Sequence, residues 1–382
     1  MTNLNETNLK PRRLKSLDAL RGFDMFWITG GASLAGVLSE LSGAGWMDAV
    51  SRQMEHAVWE GFYFYDLIFP LFMFIAGIAI PLSLAANLAR NMSKKAVLLK
   101  AAKRMVFLIV LGILYNGVFR GGFENARYAS VLGQIGIAYF FASVITVYSG
   151  SMRVSVAWLT GILLGVTVLQ LFIPVPGYGP GVLTPEGCMN GYLDRMLLPG
   201  RLAYGPSGNM VAAGGVFDAL GILCIISAIG ITLMGTIAGK ILQKTTMTGY
   251  RKTFLLSMAG FVLIIVALLL SPYYPIIKKC WTTTYNLLAG GISFILIALF
   301  YLLIDVLNFQ KWSFFFRVIG MNALFGYLLN ALVPVGQVTD AFVGWAIQLS
   351  GDAGKLIHMT GFIAGEWLLL YLMYRKNIFL KV

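Results

Sequence analysis

The chain has 382 residues, of which 58% are hydrophobic and 12% charged, and its 29 basic and 16 acidic residues give a net charge of +13. Soluble domains carry about 25% charged residues, so this composition excludes an ordinary water-soluble fold. The basic residues lie in short segments between apolar runs, which indicates contact with a lipid bilayer and argues against a nucleic-acid partner. No low-complexity linker divides the sequence, so we predict a single domain over 1–382.

Apolar runs of bilayer-spanning length follow one another along the chain. The first run follows a basic stretch and exceeds the roughly 7 to 15 residues of a signal-peptide core, so we interpret it as a retained helix. The sequence predicts an all-α polytopic membrane protein with about ten transmembrane helices. The predicted spans are 17–38, 63–85, 105–119, 129–149, 154–173, 219–239, 254–270, 283–304, 315–334 and 356–374.

The distribution of positive charge predicts the orientation. With the N-terminus inside, 21 of the 29 lysines and arginines fall on inner segments, so both termini are predicted to be cytoplasmic, beginning with a basic segment over 1–16. The longest loop, 174–217, then lies outside. Because long structured loops often serve a site, we expect this loop to cap one, with a passive connector as the alternative.

The three cysteines differ in their predicted surroundings. Cys188 and Cys280 fall in outer loops, whereas Cys224 falls within the sixth span. A disulfide between the two outer cysteines is one hypothesis if the outer compartment is oxidising, and free thiols are the alternative.

The most informative stretch for chemistry surrounds the second span. His56 stands at its outer rim and Asp66 lies within the apolar run, where an ionisable side chain is costly and indicates function by default. A structural partner for a neighbouring helix is the alternative for Asp66, and a solvated rim histidine is the alternative for His56. On a continuous helix the two residues would stand about 15 Å apart along the axis. They can pair only if the helix begins after a break near Gly61 and the preceding segment folds back over its end.

Several sequence segments together resemble the heparan-alpha-glucosaminide N-acetyltransferase family, in order and over nearly the whole chain. They are RLKSLDALRGFDM, HAVWEGFYFYDLIFPLFMFIAG, VLGQIGIAYF, PVPG, GYLDRMLL, FDALGIL, KKCWTTTY, GMNALFGYLLN and LYLMYRKNIFLKV.

The resemblance implies a membrane enzyme that takes acetyl from cytosolic acetyl-CoA and places it on an amino sugar across the bilayer, without a metal. His56 matches the family's active-site histidine, and Asp66 matches the acidic residue that follows it. The chain departs from the family where Gln134 replaces an arginine and where Asp218 is not followed by Pro-Glu-Gly. It also lacks the additional luminal domain and leading helix of the animal enzyme, from which we expect a bacterial inner membrane.

Acetyl transfer from a thioester to an amine requires a base for the amine proton and a group that polarises the acetyl carbonyl. A histidine can serve as that base or carry the acetyl group covalently. We favour direct transfer with His56 as general base, and Asp66 orienting or charge-balancing the site. The covalent route remains the alternative.

Two sets of side chains are predicted to hold the substrates. Basic residues at the inner mouth are predicted to bind the phosphates of acetyl-CoA, although the positive-inside rule alone also places such residues there: Lys103, Arg104, Lys240 and Arg251. Polar and aromatic residues near the outer ends of spans are predicted to bind the acceptor, with helix–helix contacts as the alternative: Arg127, Asp218, Trp281, Asn286, Asn322 and Lys279.

His358 and Glu366 share a face of the last span, and we interpret them as a structural pair or an oligomer contact, with a homodimer as a hypothesis. Two other functions stay open. One is a secondary transporter in which His56 and Asp66 relay protons, and the other is an O-acyltransferase of envelope glycans.

Overall fold

The computed structural model describes residues 14–380, and within them the chain is helical with a few isolated β-bridges. The α-helices are α1 (Lys15–Phe26), α2 (Ala32–Ser42), α3 (Gly45–Gln53), α4 (Phe64–Leu88), α5 (Lys94–Tyr115), α6 (Val118–Gly121), α7 (Val131–Tyr148), α8 (Met152–Leu171), α9 (Met189–Leu197), α10 (Ile222–Gln243), α11 (Gly249–Leu270), α12 (Thr283–Tyr301), α13 (Phe314–Met321), α14 (Ala323–Leu332), α15 (Val335–Leu349) and α16 (Gly354–Arg375). Short π turns occupy Trp27–Gly31 and Leu302–Val306, and 3₁₀ turns occupy Lys278–Cys280 and Gly351–Ala353.

Seven helices in the described part of the chain are long and apolar enough to cross a membrane. They are Phe64–Leu88, Val131–Tyr148, Met152–Leu171, Ile222–Gln243, Gly249–Leu270, Thr283–Val306 and Gly351–Arg375. The all-α, multi-pass membrane protein predicted from the sequence is therefore confirmed. The count of about ten spans and the cytoplasmic termini stay predictions.

The other three predicted spans have visible irregularities. The first is interrupted by the π turn between α1 and α2, where Gly30 leaves helical geometry. The third corresponds to α5, whose first half carries five basic residues, Lys94, Lys95, Lys100, Lys103 and Arg104. The ninth is divided at Asn322 into α13 and α14. A further helix, α15, occupies a stretch that the sequence-based prediction assigned to an outer connection.

Helices α4 and α10 form the most buried part of the bundle, and small residues let them approach closely. A methyl group at Gly77 would lie 2.1 Å from the backbone oxygen of Thr232, and one at Gly235 would lie 2.0 Å from that of Phe74. Contacts of this kind are typical of membrane helices, where packing rather than hydrophobic burial drives association. This crossing fixes the helix that carries Asp66.

The helix connections gather at two ends of the bundle. At one end, Gly61 N donates to Ile276 O at 2.9 Å and Trp59 Nε1 donates to Leu183 O at 2.9 Å. These bonds join the α3–α4 connection to the α11–α12 connection and to the long loop 174–217. We call this loop the cap and this end the cap end.

At the opposite end, Gln243 Nε2 donates to Pro81 O at 2.8 Å, and Lys240 Nζ donates to Ser155 Oγ at 2.7 Å. Leu380 lines a cavity together with Ile80 and Ser83, which flank Pro81, so the last described residues also lie at this end. The connections therefore alternate between the two ends along the chain, as expected for helices that cross repeatedly.

Candidate active site

A break in the helix before α4 builds the centre of the site. Gly61 has φ +117°, a conformation that favours glycine, and α4 begins only at Phe64. The preceding segment folds back over the helix end, so that His56 Nδ1 lies 2.8 Å from Asp66 Oδ1. The helix break that pairing of His56 with Asp66 requires is therefore present, and the two residues form a dyad.

Asp66 is fully buried, and each of its carboxylate oxygens has a polar partner. Oδ2 accepts hydrogen bonds from the backbone N–H groups of Ala57 at 3.2 Å and Tyr63 at 3.0 Å, while Oδ1 faces His56. The Tyr285 hydroxyl donates to the backbone oxygen of Asp66 at 2.8 Å. Buried charges are stable only when paired and hydrogen-bonded, so this environment suits an ionised carboxylate.

Lys278 completes a three-residue cluster. Its Nζ lies 3.1 Å from Asp66 Oδ1 and 3.0 Å from His56 Nδ1. Burial lowers the pKa of Lys278 to about 8, against the opposing effect of Asp66, which favours the ammonium form. A protonated Lys278 can donate to Asp66, while Nδ1–H of His56 donates to the same oxygen; in that tautomer Nε2 of His56 carries a lone pair.

A cavity of about 270 Å³ opens beside the cluster. His56 is half exposed, with a side-chain exposure of 51%, whereas Asp66 behind it is at 0%. The ring of Tyr65 lies 4.9 Å from the ring of His56. Apolar and aromatic side chains of α1, α4, α7 and α14 form most of the walls, among them Met25, Ile68, Phe72, Ile135, Leu324 and Tyr327. The imidazole therefore faces a largely apolar chamber that extends along the bundle.

Arg127 forms another wall of this cavity and is held by Asp218. Arg127 Nε and Nη2 donate to the two carboxylate oxygens of Asp218 at 2.8 and 2.6 Å, a bidentate arrangement with geometric specificity. Burial opposes the charge of Arg127, but the Asp218 pair outweighs it and raises the pKa of the guanidinium. The predicted acceptor residues Arg127 and Asp218 are thus brought together, although Asp218 itself is fully buried.

Lys279 ties the cap to the segment that carries His56. Its Nζ donates to Val58 O and to Gly208 O, both at 2.7 Å, and lies 5.5 Å from the centre of the Tyr204 ring. Burial lowers the pKa of Lys279. Because the amine is engaged by two carbonyl groups, its first role in this arrangement is to close the cap over the cavity.

A second, polar cleft of about 800 Å³ lies on the other side of Arg127, between the cap and the α5–α7 connection. Its charged lining comprises Glu124, Arg127, Asp194, Arg195 and Arg201. Arg127 lines both this cleft and the cavity of His56, so the two spaces adjoin. Asp194 accepts from the backbone N–H groups of Asp218 and Ile222, and burial raises the pKa of Asp194 to about 7.

The remaining predicted acceptor residues have different positions. Trp281 lines the cavity, whereas Asn286 lies behind it and donates to Ser227 Oγ at 2.6 Å. Asn322 lies at the opposite end, where its side chain bonds to Ile378 and Leu380. Asn322 therefore lies apart from the other predicted acceptor residues, because the break in its helix turns the amide toward the C-terminal segment.

The basic residues predicted to bind acetyl-CoA are also divided. Lys103 and Arg104 line a cavity of about 590 Å³ at the opposite end, together with Lys100 and Tyr139. Arg104 stacks over the Tyr139 ring at 4.2 Å, and its buried Nε has no hydrogen-bond partner. Lys240 instead faces α8 through Ser155, and Arg251 lies exposed on α11, away from this cavity.

His358 and Glu366 do not pair with each other. His358 Nδ1 contacts Asp340 on α15, and Glu366 is buried near Gly326. The histidine instead has a partner on α15, and the oligomer contact stays a prediction.

Sequence reasoning overlooked Lys278, Tyr65 and Tyr204. A signal for Lys278 is present, since two consecutive lysines occupy a connection predicted to lie on the side that positive charge usually avoids. The tyrosines carry no such signal, because aromatic residues are frequent throughout a membrane protein.

Comparisons with known proteins add an independent finding. The family model of a domain of unknown function, DUF5009, matches residues 13–174. Heparan-alpha-glucosaminide N-acetyltransferase of Homo sapiens is 29% identical over 423 aligned positions, which cover 97% of this chain and 60% of that protein. The Mus musculus protein of the same name is 28% identical over 376 positions, covering 86% and 56%. The chain thus spans no more than 60% of the length of the curated relatives it matches.

Proposed function

We propose that the chain is a member of the heparan-alpha-glucosaminide N-acetyltransferase family, to which it is 28–29% identical, and that it moves acetyl from cytosolic acetyl-CoA to an amino sugar on the outer side of a bacterial inner membrane. The observation that carries this proposal is the His56–Asp66 dyad at the wall of a chamber inside the helical bundle. The proposed orientation has about ten spans, both termini in the cytoplasm and the cap outside. The distribution of positive charge supports this orientation, because 21 of the 29 lysines and arginines fall on the inner segments.

His56 acts as the general base in this proposal. Its Nδ1–H donates to Asp66, which holds the ring in one tautomer and leaves Nε2 to accept the proton of the attacking amine. Asp66 also stabilises the imidazolium that forms. The amine nitrogen then bonds to the acetyl carbon, and the bond from that carbon to the sulfur of coenzyme A breaks as the thiolate leaves.

Lys278 supplies positive charge where the acetyl oxygen becomes negative. Its ammonium lines the same chamber as His56 and is held by Asp66, so it is oriented before the substrate arrives. Preorganised charge in an apolar site is an effective way to stabilise an oxyanion. Lys278 thus takes the carbonyl-polarising role for which the sequence alone suggested no residue.

The donor would enter from the opposite end. The cavity there fits a phosphorylated head group, since Lys100, Lys103 and Arg104 line it and Arg104 Nε lacks a partner. Both cavities lie along α4 and α7. From Asp66 to Ile80, fourteen residues of α4 rise about 21 Å. A flexible thioester arm along this groove would bring the acetyl group to His56 while the phosphates stay at the opposite end.

The acceptor would enter through the polar cleft under the cap. Arg127 separates that cleft from the chamber, and its guanidinium is fixed by Asp218. An amino sugar bound there would present its amine to His56 past Arg127. Acceptor and donor would thus approach His56 from different directions.

The decisive experiment uses sealed proteoliposomes with acetyl-labelled acetyl-CoA on one side and candidate amino sugars on the other. We expect labelled acceptor to accumulate on the side opposite the donor. His56→Ala should abolish transfer, and the matched variant His358→Ala should not, because that histidine lies outside the chamber. Absence of transfer to any amine, with proton-driven solute uptake instead, would support the transporter and refute the enzyme. Labelling of hydroxyl but not amine acceptors would identify an O-acyltransferase.

A further inference from the structure

A pair of buried thiols lies directly behind the candidate active site. Cys188 stands at the start of α9 in the cap, and Cys280 ends the 3₁₀ turn that begins with Lys278. Both side chains are fully buried and pack in one cluster with Ile277. Both are free thiols in this structure. The pair therefore bridges two segments that are far apart in sequence and that both contribute to the site.

The third cysteine has different partners. Cys224 lies inside α10, where its thiol donates to Lys279 O at 3.4 Å and accepts from Asn190 Nδ2 at 3.2 Å. Because Cys224 lies in a membrane-length helix and outside the cluster formed by Cys188, Ile277 and Cys280, it serves as an internal reference for the other two.

The surroundings of Cys188 favour thiol–disulfide exchange. Its sulfur accepts from Gly191 N at 3.4 Å at the N-terminus of α9, where a thiolate is stabilised. The hydrogen bond from Cys280 lowers the pKa of Cys188, and the same contact, together with burial, raises the pKa of Cys280. Cys188 is therefore the attacking group, and Cys280 is the resolving one.

We propose that Cys188 and Cys280 form a disulfide that fastens the cap to the Lys278–Cys280 turn. The oxidant is an external disulfide, encountered before the cap closes and buries the thiols. The Cys188 thiolate bonds to one sulfur of that disulfide and releases the other as a thiol. Cys280 then loses its proton to solvent, bonds to the Cys188 sulfur and expels the second thiol, so two electrons pass to the external disulfide.

The disulfide would hold the two active-site lysines in place. Lys278 and Lys279 immediately precede Cys280, and Lys279 already bonds to the cap through Gly208 O. The inference rests on the outer position of the cap in the proposed function, because the cytosol keeps thiols reduced. It does not depend on which reaction the site performs.

Thiol counting on the full-length protein tests the inference. Protein purified from membranes is denatured with an alkylating reagent and no reductant, and its mass and peptide map are measured. We expect one alkylated cysteine, Cys224, and a peptide pair joined through Cys188 and Cys280, with all three cysteines alkylated after reduction. Three alkylated cysteines before reduction, or a link that includes Cys224, would overturn the inference.

Variants sharpen this measurement. Cys224→Ala should leave no alkylated cysteine before reduction, whereas Cys188→Ser should leave two, because Cys280 loses its partner. Reductant should lower the unfolding midpoint of the unmodified protein by roughly 5 °C, and that of the Cys188→Ser/Cys280→Ser protein not at all. If the variants fail to fold, the peptide map of the unmodified protein still shows whether Cys188 and Cys280 are linked.

The result separates this inference from the proposed function. A disulfide in a protein that transfers no acetyl group would refute the proposed activity alone. Three free thiols in an active enzyme would refute the disulfide alone.

Discussion

At the cap end, His56 and Lys278 meet around the Asp66 carboxylate, whereas at the opposite end the basic residues predicted to bind acetyl-CoA are divided between a cavity, a contact with α8 and the exposed face of α11. His56 and Lys278 are 222 positions apart and their nitrogen atoms lie 3.0 Å apart. By contrast, Lys240 reaches only the neighbouring helix connection, and Arg251 is exposed. Basic residues that only follow the positive-inside rule need no precise arrangement. A centre that transfers a group requires its side chains at fixed distances from one another.

Replacing the buried carboxylate at the cap end should have the largest effect. Asp66→Asn removes the charge that orients His56 and binds Lys278, so acetyl transfer should fall by about 10² to 10⁴-fold. Initial rates with saturating acetyl-CoA measure the loss. The matched control is Asp340→Asn, which changes the other His–Asp pair and should leave the rate unchanged. Equal losses in the two variants would show that the dyad has no special role.

Breaking the Arg127–Asp218 pair should chiefly lower the free energy of unfolding. Arg127→Gln leaves the fully buried Asp218 without its guanidinium, and removing one partner of a buried pair costs about 3 to 5 kcal/mol. The unfolding midpoint in detergent should therefore fall. Adding Asp218→Asn to the same protein removes the unpaired charge and should restore part of the loss. A double variant as unstable as the sum of the two singles would show that the residues do not interact.

The pH profile should report on Lys278. Its pKa is lowered to about 8, so the ammonium is present below that pH and is lost above it. If the ammonium polarises the acetyl oxygen, kcat should decline by about tenfold from pH 7 to pH 9. Lys278→Arg keeps the positive charge and should move this decline to higher pH. A profile that is unchanged by the arginine variant would assign the alkaline decline to another group.

A substitution at the opposite end should have the smallest effect on acetyl transfer. Arg104→Ala removes a candidate phosphate ligand, and KM for acetyl-CoA should rise roughly fivefold, with kcat nearly unchanged. Arg251→Ala, which removes an equal charge away from the cavity, is the matched control and should leave KM unchanged. If both variants raise KM equally, general surface charge rather than a built site attracts the donor.

Much of the membrane architecture could be predicted from the sequence, because hydropathy and loop charge are sums over neighbouring residues. Most of the predicted spans correspond to membrane-length helices, and the long loop does lie over a cavity. The breaks at Gly30 and Asn322 escaped prediction, since a short irregular turn hardly changes an average over twenty residues. The helix α15 escaped because it is too short and too polar to resemble a span.

The candidate active site could likewise be predicted only in part from the sequence. The sequence by itself singled out Asp66, since an ionisable residue inside an apolar run is visible without a structure, whereas the family resemblance singled out His56. The spacing of the two residues also predicted that their pairing requires a helix break near Gly61. Only the tertiary structure decided that this break exists, that Lys278 joins the dyad, that Arg127 pairs with Asp218, and that Asn322 lies elsewhere. The physical reason is that hydropathy is a local property of the chain, whereas a contact between residues 222 positions apart depends on how every intervening helix packs.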